Sequence, residues 1–303
     1  MASDATIILT GAVQSTAPLM FAGMGEYVAE RSGTLNISIE AMMLTGAYVG
    51  IVVGSASGSA EVGIPAAMFA GLFVAAIHAN LSHRLAANTF VVGLALNALA
   101  LGATDFFFAL YPNVAETHFA TLRIPGLAAI PGVGPALFDQ PWPWYLLFGI
   151  VPACWFLVEH TKWGLEVRAS GENPGAADAT GIRVNLRRRQ TLYLCGALSG
   201  LGGAFLSIGV VGQFSQDITS GIGFVVIAAV IFGGWTAKGT VLGCVLFGLF
   251  LSLNLVLPPV GVHINPQLLL ALPYVAPLAA MVFLAKSYRA PRALAQPFTR
   301  GVT

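Results

Sequence analysis

The chain has 303 residues, of which 56% are hydrophobic and only 9% are Asp, Glu, Lys or Arg; an ordinary soluble domain carries roughly 25% charged residues. Fourteen basic and 13 acidic side chains cannot coat a water-soluble fold of this length, and the mean hydropathy of +0.80 agrees. A soluble enzyme, a nucleic-acid binder and a disordered chain are excluded. So is a membrane β-barrel, because the apolar residues form unbroken runs and do not alternate. What remains is an all-α polytopic membrane bundle, read as one transmembrane domain over residues 1–303.

The first residues, Met1 to Asp4, lack the basic start of a cleaved signal peptide, so the run that follows reads as a retained helix. Spanning helices need about 20 mainly apolar residues. Nine runs qualify, at about 5–25, 36–54, 62–82, 88–110, 143–159, 190–212, 221–235, 239–257 and 267–285. With the N-terminus outside and alternating spans, the connectors 26–35, 83–87, 160–189 and 236–238 and the tail 286–303 lie inside, with the C-terminus cytoplasmic. They then hold 13 of the 14 basic residues, leaving only Arg123 outside, as the positive-inside rule requires. The external connector 111–142 is rich in proline and reads as a cap or a docking surface. The internal connector 160–189 is the one strongly charged stretch.

No catalytic constellation is present. Cys154, Cys195 and Cys244 lie far apart in apolar runs and read as small core residues. The three lysines follow Thr161, Ala237 and Ala285, so no glycine precedes a phosphate-binding lysine. The five histidines show no i, i+4 pair, and no metal site is expected.

Two kinds of residue stand out within the apolar runs. Gly46, Gly50 and Gly54 recur every four residues and leave a bare stripe where a second helix can approach, within the bundle or at a subunit contact. Polar side chains inside the membrane suggest a solute path: Gln14, Asn36, Glu40, Asn97, Asp105 and Asn254 are the candidates. Asn36 and Glu40 share a helix face, where a carboxamide and a carboxylate would suit a polyhydroxylated solute. Equally, Asn36 would cap the second helix and Glu40 would steady its first turn. Asp105, beside Phe106, Phe107 and Phe108, reads as structural, at an interfacial belt.

The internal connector runs Gly164-Leu165-Glu166-Val167-Arg168-Ala169-Ser170-Gly171-Glu172-Asn173-Pro174 and on to Ala176, Ala177 and Gly181. It resembles the cytoplasmic loop of bacterial ABC importer permeases of the ribose, galactose and nucleoside group. Three further stretches carry the resemblance along the chain: Glu30-Arg31-Ser32-Gly33-Thr34-Leu35-Asn36-Ile37-Ser38-Ile39-Glu40; Val92-Gly93-Leu94-Ala95-Leu96-Asn97; and Gly221-Ile222-Gly223-Phe224 through Gly233-Gly234-Trp235. The external run from Ile130 to Phe138 and the Asn36-x-x-x-Glu40 spacing look most like the nucleoside branch. Ala41, where the family has Gly, and Ile222, where it often has Arg, depart from the pattern.

The resemblance implies a transport subunit that is no enzyme and binds no cofactor itself, with ATP and Mg held by a partner. Gly171, Glu172, Asn173, Pro174, Ala176, Ala177 and Gly181 would form the ATPase-coupling helix, which Asn-Pro can open and Gly can end. The implied partners are a tandem-domain cytoplasmic ABC ATPase, a second permease subunit (a heterodimer, or else a homodimer), an external substrate-binding lipoprotein or periplasmic protein, and membrane lipid, but no nucleic acid. The implied location is the bacterial inner membrane. A monosaccharide or branched-chain amino acid permease and a proton-coupled secondary transporter using Glu40 or Asp105 are the alternatives.

Overall fold

In hydrocarbon every backbone polar group must be satisfied within the protein, so apolar runs of this length become helices. The computed structural model describes residues 4–112, 114–130, 133–256, 275 and 289–299. In chain order come α1 (Asp4–Arg31), α2 (Ile39–Ser57), α3 (Ala60–His83) and α4 (Thr89–Leu110). A short excursion follows: strand β1 (Thr121–Arg123), helix α5 (Val133–Phe138) and strand β2 (Asp139–Pro141), with β1 and β2 antiparallel. Then come α6 (Leu147–His160), α7 (Lys162–Glu172), α8 (Pro174–Ala179) and α9 (Val184–Ala204). The last of these continues as a π-helix over Phe205–Val211. After it lie α10 (Ile222–Phe232) and α11 (Ala237–Val256).

Six of the described helices are long and apolar enough to cross a membrane, and Ile222–Phe232 and Ala237–Leu253 are shorter apolar helices. The span expected at 267–285 falls outside the described residues, apart from Val275.

Side-chain contacts sort the helix ends. Near the end of α3, His83 meets Thr34 at 3.2 Å, and at the start of α4 Thr89 donates to the Leu35 carbonyl at 3.2 Å. Glu159, near the end of α6, pairs with Arg168 at 2.9 Å and lies 3.9 Å from Arg31, at the end of α1. Arg188, near the start of α9, donates to the Ser32 carbonyl at 3.1 Å. At the opposite end Ala115 N donates to Ser55 Oγ at 3.1 Å and Thr117 N to the Gly212 carbonyl at 2.9 Å. Successive spans therefore alternate, and the arginine-rich 160–189 connector sits at the first of these ends.

Backbone contact knits α2, α3 and α9 together. A Cβ on Gly46 would stand 2.5 Å from Gly200 Cα, and one on Gly50 would stand 3.1 Å from Ala67 Cβ and 3.2 Å from Ala204 Cβ. Gly54 has ordinary contact, with Ala60 Cα 3.6 Å away. One turn earlier on α9, a Cβ on Gly196 would lie 2.5 Å from the Gly71 carbonyl. Small residues on facing helices let main chains approach this closely.

Three expectations need correction. The connector placed at 26–35 does not begin at 26: α1 continues to Arg31, and Glu26 and Glu30 are fully buried within it. Their partners come from distant parts of the chain, Asn36 N and Cys195 Sγ for Glu26 and Trp235 Nε1 for Glu30. Helix α9 starts at Val184, well before residue 190. Of its arginines, Arg187 pairs with Glu166 of α7 at 2.6 Å and Arg189 donates to Tyr193 at 3.1 Å. Phe106 and Phe107 are exposed, but Phe108 turns inward onto Phe214, ring centroids 5.3 Å apart.

Candidate functional site

Two non-helical segments each lead into a helix, and Glu40, at the start of α2, bonds to the second of them. The first, residues 32–38, is buried almost throughout. Backbone without helical bonds is tolerated at depth only if other groups satisfy it. Asn36 N donates to Glu26 Oε1 at 3.0 Å. Asn97 Nδ2 donates to the Ile37 carbonyl at 2.9 Å, and its Oδ1 accepts from Ala41 N at 3.0 Å. Asn97 thus bridges the turn and the start of α2.

Asn36 does not cap α2. Its Oδ1 accepts from Ser38 Oγ at 2.8 Å, while its Nδ2 donates to Cys195 Sγ at 3.3 Å and Met42 Sδ at 3.4 Å. Ser38 Oγ also meets His78 Nδ1 at 2.6 Å, and His78 Nε2 meets Thr89 Oγ1 at 2.8 Å. A continuous polar seam therefore joins α1, α2, α3, α4 and α9.

The second segment, residues 212–221, is anchored by Phe214, which packs edge-on against Tyr48 with centroids 5.1 Å apart. It leads into α10 through Gly221, whose φ is 82°. Glu40 closes the junction. Its Oε1 accepts from Thr219 Oγ1 at 2.5 Å and Gly221 N at 2.9 Å, and its Oε2 accepts from Gly223 N at 2.5 Å. A helix start leaves backbone donors without internal partners and carries partial positive charge, so a carboxylate there is stabilising. Glu40 does serve a helix end, but that of α10 instead of its own. Gly223 is required by the approach: a Cβ there would stand 2.6 Å from Glu40 Oε2. Gln14 lies half-buried on α1.

Beside the first segment, a cleft of about 320 Å³ opens between Thr34, His83, Asn88 and Gln296. Among the described residues no three His, Cys, Asp or Glu side chains converge as metal ligands would.

The charged connector forms the projecting part. Thr161 Oγ1 accepts from Gly164 N at 3.0 Å and opens α7; Asn173 Oδ1 accepts from Ala176 N at 3.0 Å and opens α8, with Pro174 at its first position. Gly181, at φ +90°, ends the turn that follows. Glu172, Asn173, Ala176 and Gly181 are exposed, Pro174 is half-buried, and Ala177 is buried. Gly171 is buried too, and a Cβ on it would stand 3.0 Å from Gly33 N. It faces the bundle, against Arg31 and Gly33.

The sequence reading missed Glu26, Glu30, His78, Cys195, Arg188 and Trp235. The available signal was the i, i+4 spacing of Glu26 and Glu30, which keeps both on one face of a longer α1.

Six helices long and apolar enough to span a membrane, a buried turn leading into one of them and a short exposed helix at the arginine-rich end fit a membrane permease. The chain belongs to the family of branched-chain amino acid transport system permease components, whose model matches residues 7–285. The guanosine ABC transporter permease protein NupQ of Bacillus subtilis is 33% identical, covering 98% of this chain and 97% of its own. The nucleoside ABC transporter permease protein NupC of Lactococcus lactis is 32% identical over 82% of each chain. TsgC13 of Haloferax volcanii, provisionally named a glucose ABC transporter permease protein, is 33% identical over 98% of this chain and 99% of its own. No solved structure gives a significant match. The chain is a multi-pass inner-membrane permease subunit of an ABC transporter, not an enzyme, and it works with an ATPase and a substrate-binding protein.

Proposed function

We propose that this permease imports nucleosides. The observation that carries the reading is likeness over most of the chain to two permeases named for guanosine and nucleosides. The Asn36–Glu40 segment adds a seam of hydroxyl, amide and carboxyl groups at the bundle's centre. In this reading the arginine-rich end faces the cytoplasm, because basic residues are retained there; the N-terminus is outside and the C-terminus inside. The exposed face of α8 docks on a tandem-domain ATPase, which holds the ATP and Mg. A second permease subunit completes the path as a heterodimer, and an external lipoprotein or periplasmic binding protein delivers the solute. Nucleotide binding then shifts the population between inward- and outward-open states.

A monosaccharide is the second reading, favoured by the equal identity to TsgC13. Uptake into vesicles holding the complete transporter decides between them. ATP-dependent accumulation of labelled guanosine or uridine, unaffected by excess glucose, is the expected result. Glucose uptake without nucleoside uptake overturns the substrate, and nucleoside uptake driven by a proton gradient without the ATPase overturns the class.

A further inference from the structure

Residues 289–299 lie against the arginine-rich end of the bundle as a strap. Ala293 N donates to the Gly171 carbonyl at 2.9 Å, and Ala295 N donates to the Gly33 carbonyl at 3.0 Å. One turn of strap thus bonds both the end of α7 and the buried 32–38 turn. Asn185 Nδ2 holds the far part through the Phe298 carbonyl at 3.1 Å. Ala293 is 3% exposed, and Ala295 has φ +62°, a left-handed conformation that a side chain disfavours and the surrounding contacts must impose.

Beneath the strap lies Arg188, 1% exposed. Its Nε donates to the Ser32 carbonyl at 3.1 Å and its Nη1 to the Gln296 carbonyl at 2.7 Å. Its Nη2 faces the carbonyls of Ser170 and Ala293, both at 3.4 Å. Among the described residues the guanidinium forms no ion pair. Burying a guanidinium is costly unless its donors are satisfied. Here every acceptor is a main-chain carbonyl, and the acceptors come from three separate segments. Only a rigid five-donor fork serves three segments at once.

These bonds link the projecting arm to the interior. Gly171 lies at the α7–α8 junction of the arm; the strap and Arg188 join Gly171 and Ser170 to Ser32 and Gly33; the turn leads to Asn36 and on to Glu40, which holds the start of α10. We propose that Arg188 and the 289–299 strap are positioning elements that clamp the α7–α8 arm to the buried 32–38 turn. A push on the arm then displaces the turn as one body. The proposal rests on the reading of α8 as the ATPase contact.

The test uses the complete transporter in proteoliposomes, with solute moved per ATP hydrolysed as the first readout. The variants are Arg188→Lys, which keeps the charge but loses the fork, Ala293→Pro, which removes one strap donor, and deletion of residues 289–303. Gly181→Arg, on the exposed end of α8, is the reference. The second readout is the distance between spin labels at Ala176→Cys and Leu85→Cys, one on the arm and one beside the turn. The expected result is ATP hydrolysis within twofold of the unmodified transporter, at least a fivefold loss of solute per ATP, and a single label distance that broadens. Unchanged solute per ATP with an unchanged distance overturns the clamp. So does a parallel loss of hydrolysis and transport at unchanged distance, which marks a purely structural role. If Gly181→Arg uncouples and the strap variants do not, the clamp alone fails. If Gly181→Arg transports normally, the reading of α8 fails, and the clamp fails with it.

Discussion

Removing the Glu40 side chain should loosen the start of α10 before it affects anything else. Glu40 is 7% exposed and accepts from two backbone amides, Gly221 and Gly223, and from the Thr219 hydroxyl. The hydroxyl can turn to another acceptor, but the two amides cannot. A buried donor left unsatisfied costs about 1–3 kcal/mol, so Glu40→Ala should destabilise the junction by at least ~2 kcal/mol. At a factor of ten per 1.4 kcal/mol, amide exchange across 219–225 should accelerate by roughly 30-fold or more. Glu40→Gln retains one acceptor oxygen. Placed where Oε1 sits, it keeps two of the three bonds and turns its NH2 toward Gly223, so its effect should fall between those of Glu and Ala. Hydrogen exchange with mass spectrometry on the purified chain measures this directly. Unchanged exchange at 219–225 in Glu40→Ala would refute the argument. A change in solute preference at unchanged exchange would instead assign Glu40 to the path.

Gly71→Ala should separate α3 from α9, because a Cβ there collides with the Gly196 carbonyl and lies 2.9 Å from Gly200 N. The expected penalty of about 1–3 kcal/mol appears as a lower apparent melting temperature, whereas Gly102→Ala, inside α4 with nothing within 4 Å of its Cβ, does not lower it, because Ala favours a helix over Gly. Asn97→Ala orphans both Ala41 N and the Ile37 carbonyl and should destabilise more than Asn97→Asp, which still accepts from Ala41; thermal unfolding of the two variants tests the order. Trp235→Phe removes the hydrogen bond that Trp235 Nε1 donates to Glu30 Oε2. It should destabilise by about 1–3 kcal/mol, and the double variant with Glu30→Met should recover much of that, since replacing both partners is far milder than orphaning one.

The spans were legible where apolar runs met clear punctuation. The run at 62–82 became Ala60–His83 and that at 88–110 became Thr89–Leu110, with Asn88 supplying the cap of the latter by accepting from Phe90 N at 2.9 Å. Helix α8 was legible for the same local reason, an Asn-Pro opening whose geometry depends on four consecutive residues. What stayed hidden is long-range. The sequence shows Glu40 near a helix start and offers two local uses for it; its partners lie some 180 residues further on. Glu26 and Glu30 fit either a cytoplasmic turn or a broken helix entering the membrane, because the groups that bond them, Asn36, Cys195 and Trp235, lie beyond the end of α1. The external connector hid its small sheet because two three-residue strands carry no period to read.

The glycine seam between α2, α3 and α9 limits where this bundle can change shape. Side chains that interlock can trade rotamers and slide by degrees, but main chain pressed on main chain, as at Gly46 on Gly200, has no such slack. The three helices act as one stiff plate. Bending is left to the plate's margins, where regular helix is already interrupted: the π stretch Phe205–Val211 and the 212–221 segment.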